Sequence, residues 1–369
     1  MAGKMAGAGP AAGSVAVAGD PAAAAAQCAV PRSFPESVQD ALLRRFVGWA
    51  ILLITSGYTF LDYWNYSRTW HEGGGTEWDA LLAGRGFAPA QYRIGVMRVA
   101  ALLASLTHTH VRHMFAVIDC VCLGTSLLLL FRLLMRSGAF AAAERTGRWL
   151  QASLGLGCVL LYLLWSFWYQ KPETCATLLL LVLSAVAARG RRTAAAGPAL
   201  VVLAALGATV RADAMVAFHA GFLMTCLLAQ GDDLPLGRRF QIVASAASLL
   251  AAVGVEYCIV HVLYPHAPRE VSAFQLLTNL KTPADYLVLV VSLFPWWLTL
   301  RLAARRWRAL DGWSLALLAG SAAHFALFYC FGMAGEVRIF LPFAMMTMPV
   351  TVMLGYAAIA GRESEAVVA

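Results

Sequence analysis

The sequence predicts an all-α polytopic membrane protein with about ten transmembrane helices, and three observations carry that prediction. First, 60% of the 369 residues are hydrophobic and only 13% are charged, with a mean hydropathy of +0.68. Soluble domains run at about 25% charged and about 45–50% apolar residues. Second, apolar runs recur at intervals of roughly 20 to 40 residues almost to the C-terminus, which excludes a soluble enzyme and a single-anchor protein. Third, runs such as Leu178-Leu179-Leu180-Leu181-Val182-Leu183 are apolar on every side. A membrane β-barrel needs alternating apolar and polar residues instead.

The net charge of +8 does not mark a nucleic-acid partner. The basic residues sit in short loops between apolar runs, where the positive-inside bias puts them. Nor do the eight cysteines form a disulfide framework, since Cys120, Cys122, Cys158, Cys226, Cys258 and Cys330 lie within apolar runs and Cys28 stands alone. Cys120-x-Cys122 lacks the second half of a zinc site and reads as packing.

Residues 1 to about 31 are Ala/Gly-rich and nearly uncharged, so they cannot bury a core; residues 1–40 are expected to form a disordered cytoplasmic leader. No basic segment followed by a dense Leu/Val/Ile stretch marks a signal peptide. The collar Arg44-Arg45 then precedes the first span. Candidate spans run over 46–61, 114–131, 150–168, 175–188, 195–210, 214–229, 240–263, 285–301, 312–332 and 339–358, within a transmembrane domain of residues 41–360. A cytoplasmic N-terminus places 18 of the 28 Lys and Arg inside, so both termini are expected in the cytoplasm, with residues 361–369 as a short tail. An integral protein of a bacterial inner membrane is expected.

Residues 93–106 are moderately apolar but interrupted by Arg93 and Arg98. Counting them as a span would push the basic Arg132–Arg148 loop outside, so they are expected to form an amphipathic helix on the outer interface. Residues 62–113 then become one long outer loop, and long ordered loops are usually functional. Outer ends collect the mixed chemistry: Asp62-Tyr63-Trp64-Asn65-Tyr66, Glu72, Glu77-Trp78-Asp79, Lys171-Pro172-Glu173, Arg211-Ala212-Asp213, Tyr264 to Glu270, and Glu336-Val337-Arg338. Many of the aromatic residues suit an interface belt, whereas charges at span depth are costly and usually paired or functional.

On that argument Asp62, at the end of the first span, Arg211 and Asp213, in a very tight hairpin, and Glu336 and Arg338, beside the last span, stand out. Asp119 and Glu256 lie inside spans and are expected to pair across helices or to relay protons or ions. His108, His110 and His113 have no carboxylate at metal-binding spacing and read as interface polarity. Gly73-Gly74-Gly75 lacks the strand and lysine of a phosphate-binding loop.

The stretch Trp78-Asp79-Ala80-Leu81-Leu82-Ala83-Gly84, followed by Ala90-Gln91-Tyr92-Arg93, resembles the first outer loop of the GT-C glycosyltransferase superfamily. Lys171-Pro172-Glu173, Arg211-Ala212-Asp213 and Glu336-Val337-Arg338-Ile339-Phe340-Leu341-Pro342 are similar to outer-face motifs of membrane proteins of this general build. The likeness covers residues 44 to 360 in layout; Asp62 has no acidic neighbour, and the Trp-Trp-Asp signature of oligosaccharyltransferases is absent. The resemblance implies transfer of a sugar from a polyprenyl-phosphate donor to an envelope glycan or lipid acceptor. It implies Asp62 as the catalytic carboxylate.

Such chemistry needs a carboxylate to deprotonate an acceptor hydroxyl and cations to stabilise the departing phosphate. Arginine grips phosphate with two parallel N–H donors, so a divalent metal is optional. The expected phosphate-side and substrate-binding residues are Arg93, Arg211, Arg338, Glu336, Asp213 and Lys171. Two other readings compete. One is a transporter or flippase of a lipid-linked or anionic solute, coupled through Asp119 and Glu256, although no internal repeat is visible. The other is a non-catalytic subunit of an envelope-assembly complex.

Overall fold

A run of apolar residues in lipid must satisfy every backbone N–H and C=O internally, and the helix does so within one segment. In the computed structural model, eleven α-helices and no β-strand longer than an isolated bridge occur among the described residues. Those residues are 36–69, 75–135, 172–190, 195–228, 236–269, 274–306, 310–332 and 340–368. In chain order the helices are α1 (Glu36–Thr69), α2 (Gly75–Leu82), α3 (Ile94–Thr107), α4 (Val111–Met135), α5 (Glu173–Arg189) and α6 (Ala196–Leu228). They continue with α7 (Arg238–Cys258, prolonged by a π-helical turn Ile259–Leu263), α8 (Leu276–Lys281), α9 (Pro283–Arg306), α10 (Gly312–Phe331) and α11 (Leu341–Val368).

Five of these segments are long and apolar enough to cross a membrane: Arg44–Asn65, Val111–Met135, Ala196–Leu228, Arg238–Leu263 and Gly312–Phe331. The chain is therefore an all-α membrane protein. A helix stands at each sequence-predicted segment except 150–168, which lies outside the described residues. Two helices run past the expected spans 46–61 and 339–358. Helix α1 already begins at Glu36, where Pro35 precedes a first turn carrying an acidic residue, a good helix start. At the other end α11 runs on to Val368 rather than stopping near 360.

Residues 46–369 form one compact unit, and the packing below belongs to it; residues 1–45 are a unit of their own. Helix α6 is not one rod. Arg211 has φ −161° and ψ 88°, which breaks the helical ladder into segments 196–210 and 212–228. A Cβ added at Gly207 would lie 2.5 Å from the Met215 side chain, yet on a straight helix residues eight apart are separated by about 12 Å. Gly197 and the carbonyl of Cys226, at opposite ends of α6, both meet the start of α7, through Phe240 and Arg238. The chain thus doubles back at Arg211, in the tight hairpin that the sequence suggested.

This reversal sorts the bundle into two ends. At one end Arg238 Nε donates to the Cys226 carbonyl (2.8 Å), Arg189 Nη2 sits 3.7 Å from Asp311 Oδ2, and the Arg189 guanidinium lies 4.4 Å above the Trp313 ring. We call this the basic end. The opposite end holds the Arg211 turn, the start of α5 and the loops that flank α3. There the Ala88 amide donates to the Pro268 carbonyl (2.8 Å) and Arg98 Nη2 to the Tyr264 hydroxyl (3.1 Å).

Helix α3 buries Val96, Met97, Ala100 and Ala104, which share one face by helical spacing, against Met114 and Phe115 of α4, Ala176 of α5 and Val210 of α6. Its 14 residues reach about 21 Å, short of a full crossing. Its partners are the opening turns of α4 and α5 and the tip of α6, so it covers the end of the bundle opposite the basic end. In lipid the hydrophobic effect does not drive helices together; close approach of small residues does. Gly221 of α6 and Gly320 of α10 provide it, since a Cβ on Gly221 would come within 2.2 Å of the Gly320 nitrogen.

Candidate functional site

Three polar clusters lie at the end that α3 covers, each built from more than one helix. The first joins Arg93 to Glu173. A 3-10 turn Ala90–Tyr92 leads into Arg93, which caps α3. Gln91 fixes this turn: it is 2% exposed, accepts from the Gly86 amide (2.6 Å) and donates to the Leu81 carbonyl (3.3 Å). Arg93 Nη1 then donates to Glu173 Oε1 at 2.5 Å, with the glutamate side chain only 7% exposed. Glu173 is the first residue of α5, where a negative charge also meets the positive end of the helix dipole.

The second cluster forms at the α6 break. Arg211 Nε and Nη2 donate to the two carboxylate oxygens of Asp213 at 3.3 and 3.0 Å, the fork-on-carboxylate geometry of a strong ion pair. Phe328 lies under the guanidinium, 4.9 Å from its centre, adding a cation–π contact. His324 of α10 is fully buried, and its Nε2 is 3.4 Å from Asp213 Oδ2. Arg93 is electrostatically coupled to Asp213 as well, and Glu256 of α7 to both. The two ion pairs therefore act as one charged neighbourhood.

The third cluster lies between α1, α4 and α5. One oxygen from each of Asp62 and Asp119 and the Cys175 sulfur all lie within 4.8 Å of one another. All three residues are essentially inaccessible, at 0, 1 and 0% exposure. Tyr58, one helical turn before Asp62 and 2% exposed, is electrostatically coupled to the same three groups. Antiparallel packing of α1 on α4 brings them together: Thr55 meets Gly124 and Tyr63 stacks on His113 at 5.5 Å. Glu173 and Cys175 are two residues apart on α5 and so point to different faces of it.

Of the sequence-predicted site residues, the structure places Asp62 inside α1, two turns before its end and wholly buried, rather than at a solvated helix terminus. Arg93, Arg211 and Asp213 share the same end of the bundle with it. Each of the two arginines is engaged by a carboxylate. Lys171, Glu336 and Arg338 lie outside the described residues. The histidines near the α3–α4 turn do not converge as ligands: His113 stacks on Tyr63, and His110 Nδ1 accepts from the Arg112 amide at 3.2 Å. Burial, with Arg112 and His113 nearby, holds the His110 imidazole below its ordinary pKa.

Sequence reasoning missed Cys175, His324 and Glu173 as members of the site. Glu173 had a signal, since it stands in the Lys171-Pro172-Glu173 motif at a helix start. Cys175 and His324 had none, because one cysteine or histidine in an apolar run reads as packing. Comparison with protein-family models, with curated proteins and with solved structures returns no match to this chain.

Proposed function

We propose that the chain is a membrane glycosyltransferase, which moves a sugar from a polyprenyl-phosphate donor to an envelope glycan or lipid acceptor at the outer face of a bacterial inner membrane. The observation that carries the reading is the presence at one end of the bundle of a buried carboxylate pair, Asp62 and Asp119, and of two arginines held by carboxylates of their own. In this account the arginine-rich end faces the cytoplasm, as the positive-inside bias favours, and the site end faces outward.

Asp62 takes the proton of the acceptor hydroxyl while the acceptor oxygen bonds to the anomeric carbon and the sugar–phosphate bond breaks. The lipid phosphate leaves with the electron pair and is stabilised by Arg93 and Arg211. Their carboxylate partners fix each guanidinium in place, and the Asp213 fork uses two of the five N–H donors of Arg211. The resemblance implies a donor-side role for Lys171, Glu336 and Arg338, which lie outside the described residues.

Incubation of the purified protein with a panel of polyprenyl-phosphate sugars tests this reading, with transfer to a glycan or lipid acceptor as the expected result. One observation favours the transporter reading: Asp119 and Glu256 sit within apolar helices, and Glu256 is electrostatically tied to Arg93 and Asp213. Solute uptake into proteoliposomes that proceeds without any donor, together with no sugar transfer across the panel, would select it.

A further inference from the structure

We propose that Asp62, Asp119 and Cys175 form a binding site for one zinc-class divalent cation, clamped between α1, α4 and α5. The three donor atoms come from three separate helices, and all lie within 4.8 Å of one another. A tetrahedral ion with ligand bonds of about 2.0–2.3 Å sets its ligands roughly 3.3–3.8 Å apart, so closing on an ion requires movements of about 1 Å. No other group of three His, Cys, Asp or Glu side chains among the described residues meets this spacing.

A second observation points to a ligand. Asp62 is wholly buried, and no N–H group among the described residues donates to either of its carboxylate oxygens; its polar neighbour there is Asp119, itself a carboxyl group. Burying a carboxylate without donors or a counter-charge is costly, so such groups are normally paired or ligate a metal. Arg93 and Arg211 are held by carboxylates of their own, Glu173 and Asp213. A divalent cation supplies a counter-charge to Asp62, with Asp119 as the second carboxylate ligand.

The donor set selects the class of ion. Magnesium and calcium take oxygen ligands in larger shells and gain little from a thiolate. Two carboxylates and one thiolate suit zinc, which binds three protein ligands and keeps a fourth position open at reactive sites. Binding displaces the Cys175 thiol proton, so affinity rises with pH. The ion takes one oxygen of Asp62 and leaves the second to the role proposed above, and the readout of the test is ion binding alone.

The test uses the full chain purified in detergent, stripped with a chelator, and titrated with Zn²⁺ against a chromophoric competitor. Co²⁺ is the optical probe. The expected result is one ion per chain and a thiolate-to-cobalt charge-transfer band. Cys175→Ser should remove the band, and Cys175→Ser and Asp62→Asn should each weaken Zn²⁺ binding by ~10-fold or more. Monodispersity on size exclusion identifies folded variants. Should either variant aggregate, the wild-type Co²⁺ spectrum still decides. Three results overturn the proposal: no stoichiometric ion in the folded wild type, bound Co²⁺ without a thiolate band, or Zn²⁺ kept by an Asp62→Asn/Cys175→Ser double variant and lost on His110→Ala/His113→Ala.

Discussion

Gly221→Ala should disturb the candidate site without touching any of its residues. The new Cβ would come within 2.2 Å of the Gly320 nitrogen, 2.5 Å of its Cα and 2.6 Å of the Ala316 carbonyl oxygen. All three are backbone atoms of α10, which cannot swing aside as a side chain can, so α6 and α10 must separate by about 1 Å to reach ordinary contact. Overpacking of this kind costs about 1–3 kcal/mol, occasionally more. The same two helices carry Asp213 and His324, whose closest atoms are 3.4 Å apart, and a displacement of that size breaks their contact.

Gly320→Ala is the internal control. Its Cβ would meet the flexible Met346 sulfur at 3.0 Å, and backbone only at 3.3 Å or more. Thermal unfolding of both variants in one detergent, followed by fluorescence-detected size exclusion, should place Gly221→Ala several degrees below wild type and Gly320→Ala closer to it. A Gly221→Ala protein as stable as wild type, or less harmed than Gly320→Ala, would refute the close helix crossing on which this argument stands.

Arg93→Ala leaves Glu173 buried without its ion partner, so it should cost about 3–5 kcal/mol, less some relief because Arg93 is 20% exposed. Adding Glu173→Gln should recover much of that loss, which denaturation of the single and double variants will measure. Arg211→Lys keeps a charge but loses the fork on Asp213, and should lower donor affinity more than expression. An Ala88→Cys/Pro268→Cys pair should cross-link under mild oxidation, because the Ala88 amide and Pro268 carbonyl are 2.8 Å apart; a band unshifted on non-reducing gels counts against that loop contact. Impermeant thiol reagents should label cysteines placed near Gly74 and Ala267, and not one near Gly190. Labelling at Gly190 alone would reverse the proposed orientation.

Helix positions were legible in the sequence because a membrane helix is long, apolar and bounded by charge. The reversal at Arg211 was legible for the same reason, since Arg211-Ala212-Asp213 divides two apolar runs, each too short for a perpendicular crossing. The facing of each helix was not. A helix apolar on all sides carries no stripe that separates lipid from protein, so nothing in the local sequence sets Asp119 and Cys175 toward Asp62 rather than toward separate neighbours. Helix α3 is the exception, since Val96, Met97, Ala100 and Ala104 already lie on one face. Asp62 was read as the end of a span because the polar run Asp62 to Ser67 follows it. That run instead continues the helix to Thr69, which carries Asp62 into the bundle and away from the loop.

The most direct test of the account is single-turnover sugar transfer by protein in lipid nanodiscs, from the polyprenyl-phosphate donor that the panel identifies, with Asp62→Asn compared with wild type. Asparagine keeps the size of the side chain and removes the base. The account predicts donor binding close to wild type and transfer reduced by about 10²–10⁴-fold or more. Transfer by Asp62→Asn at the wild-type rate would contradict it, and Glu72, Glu77 or Asp79 would become the next candidate for the base.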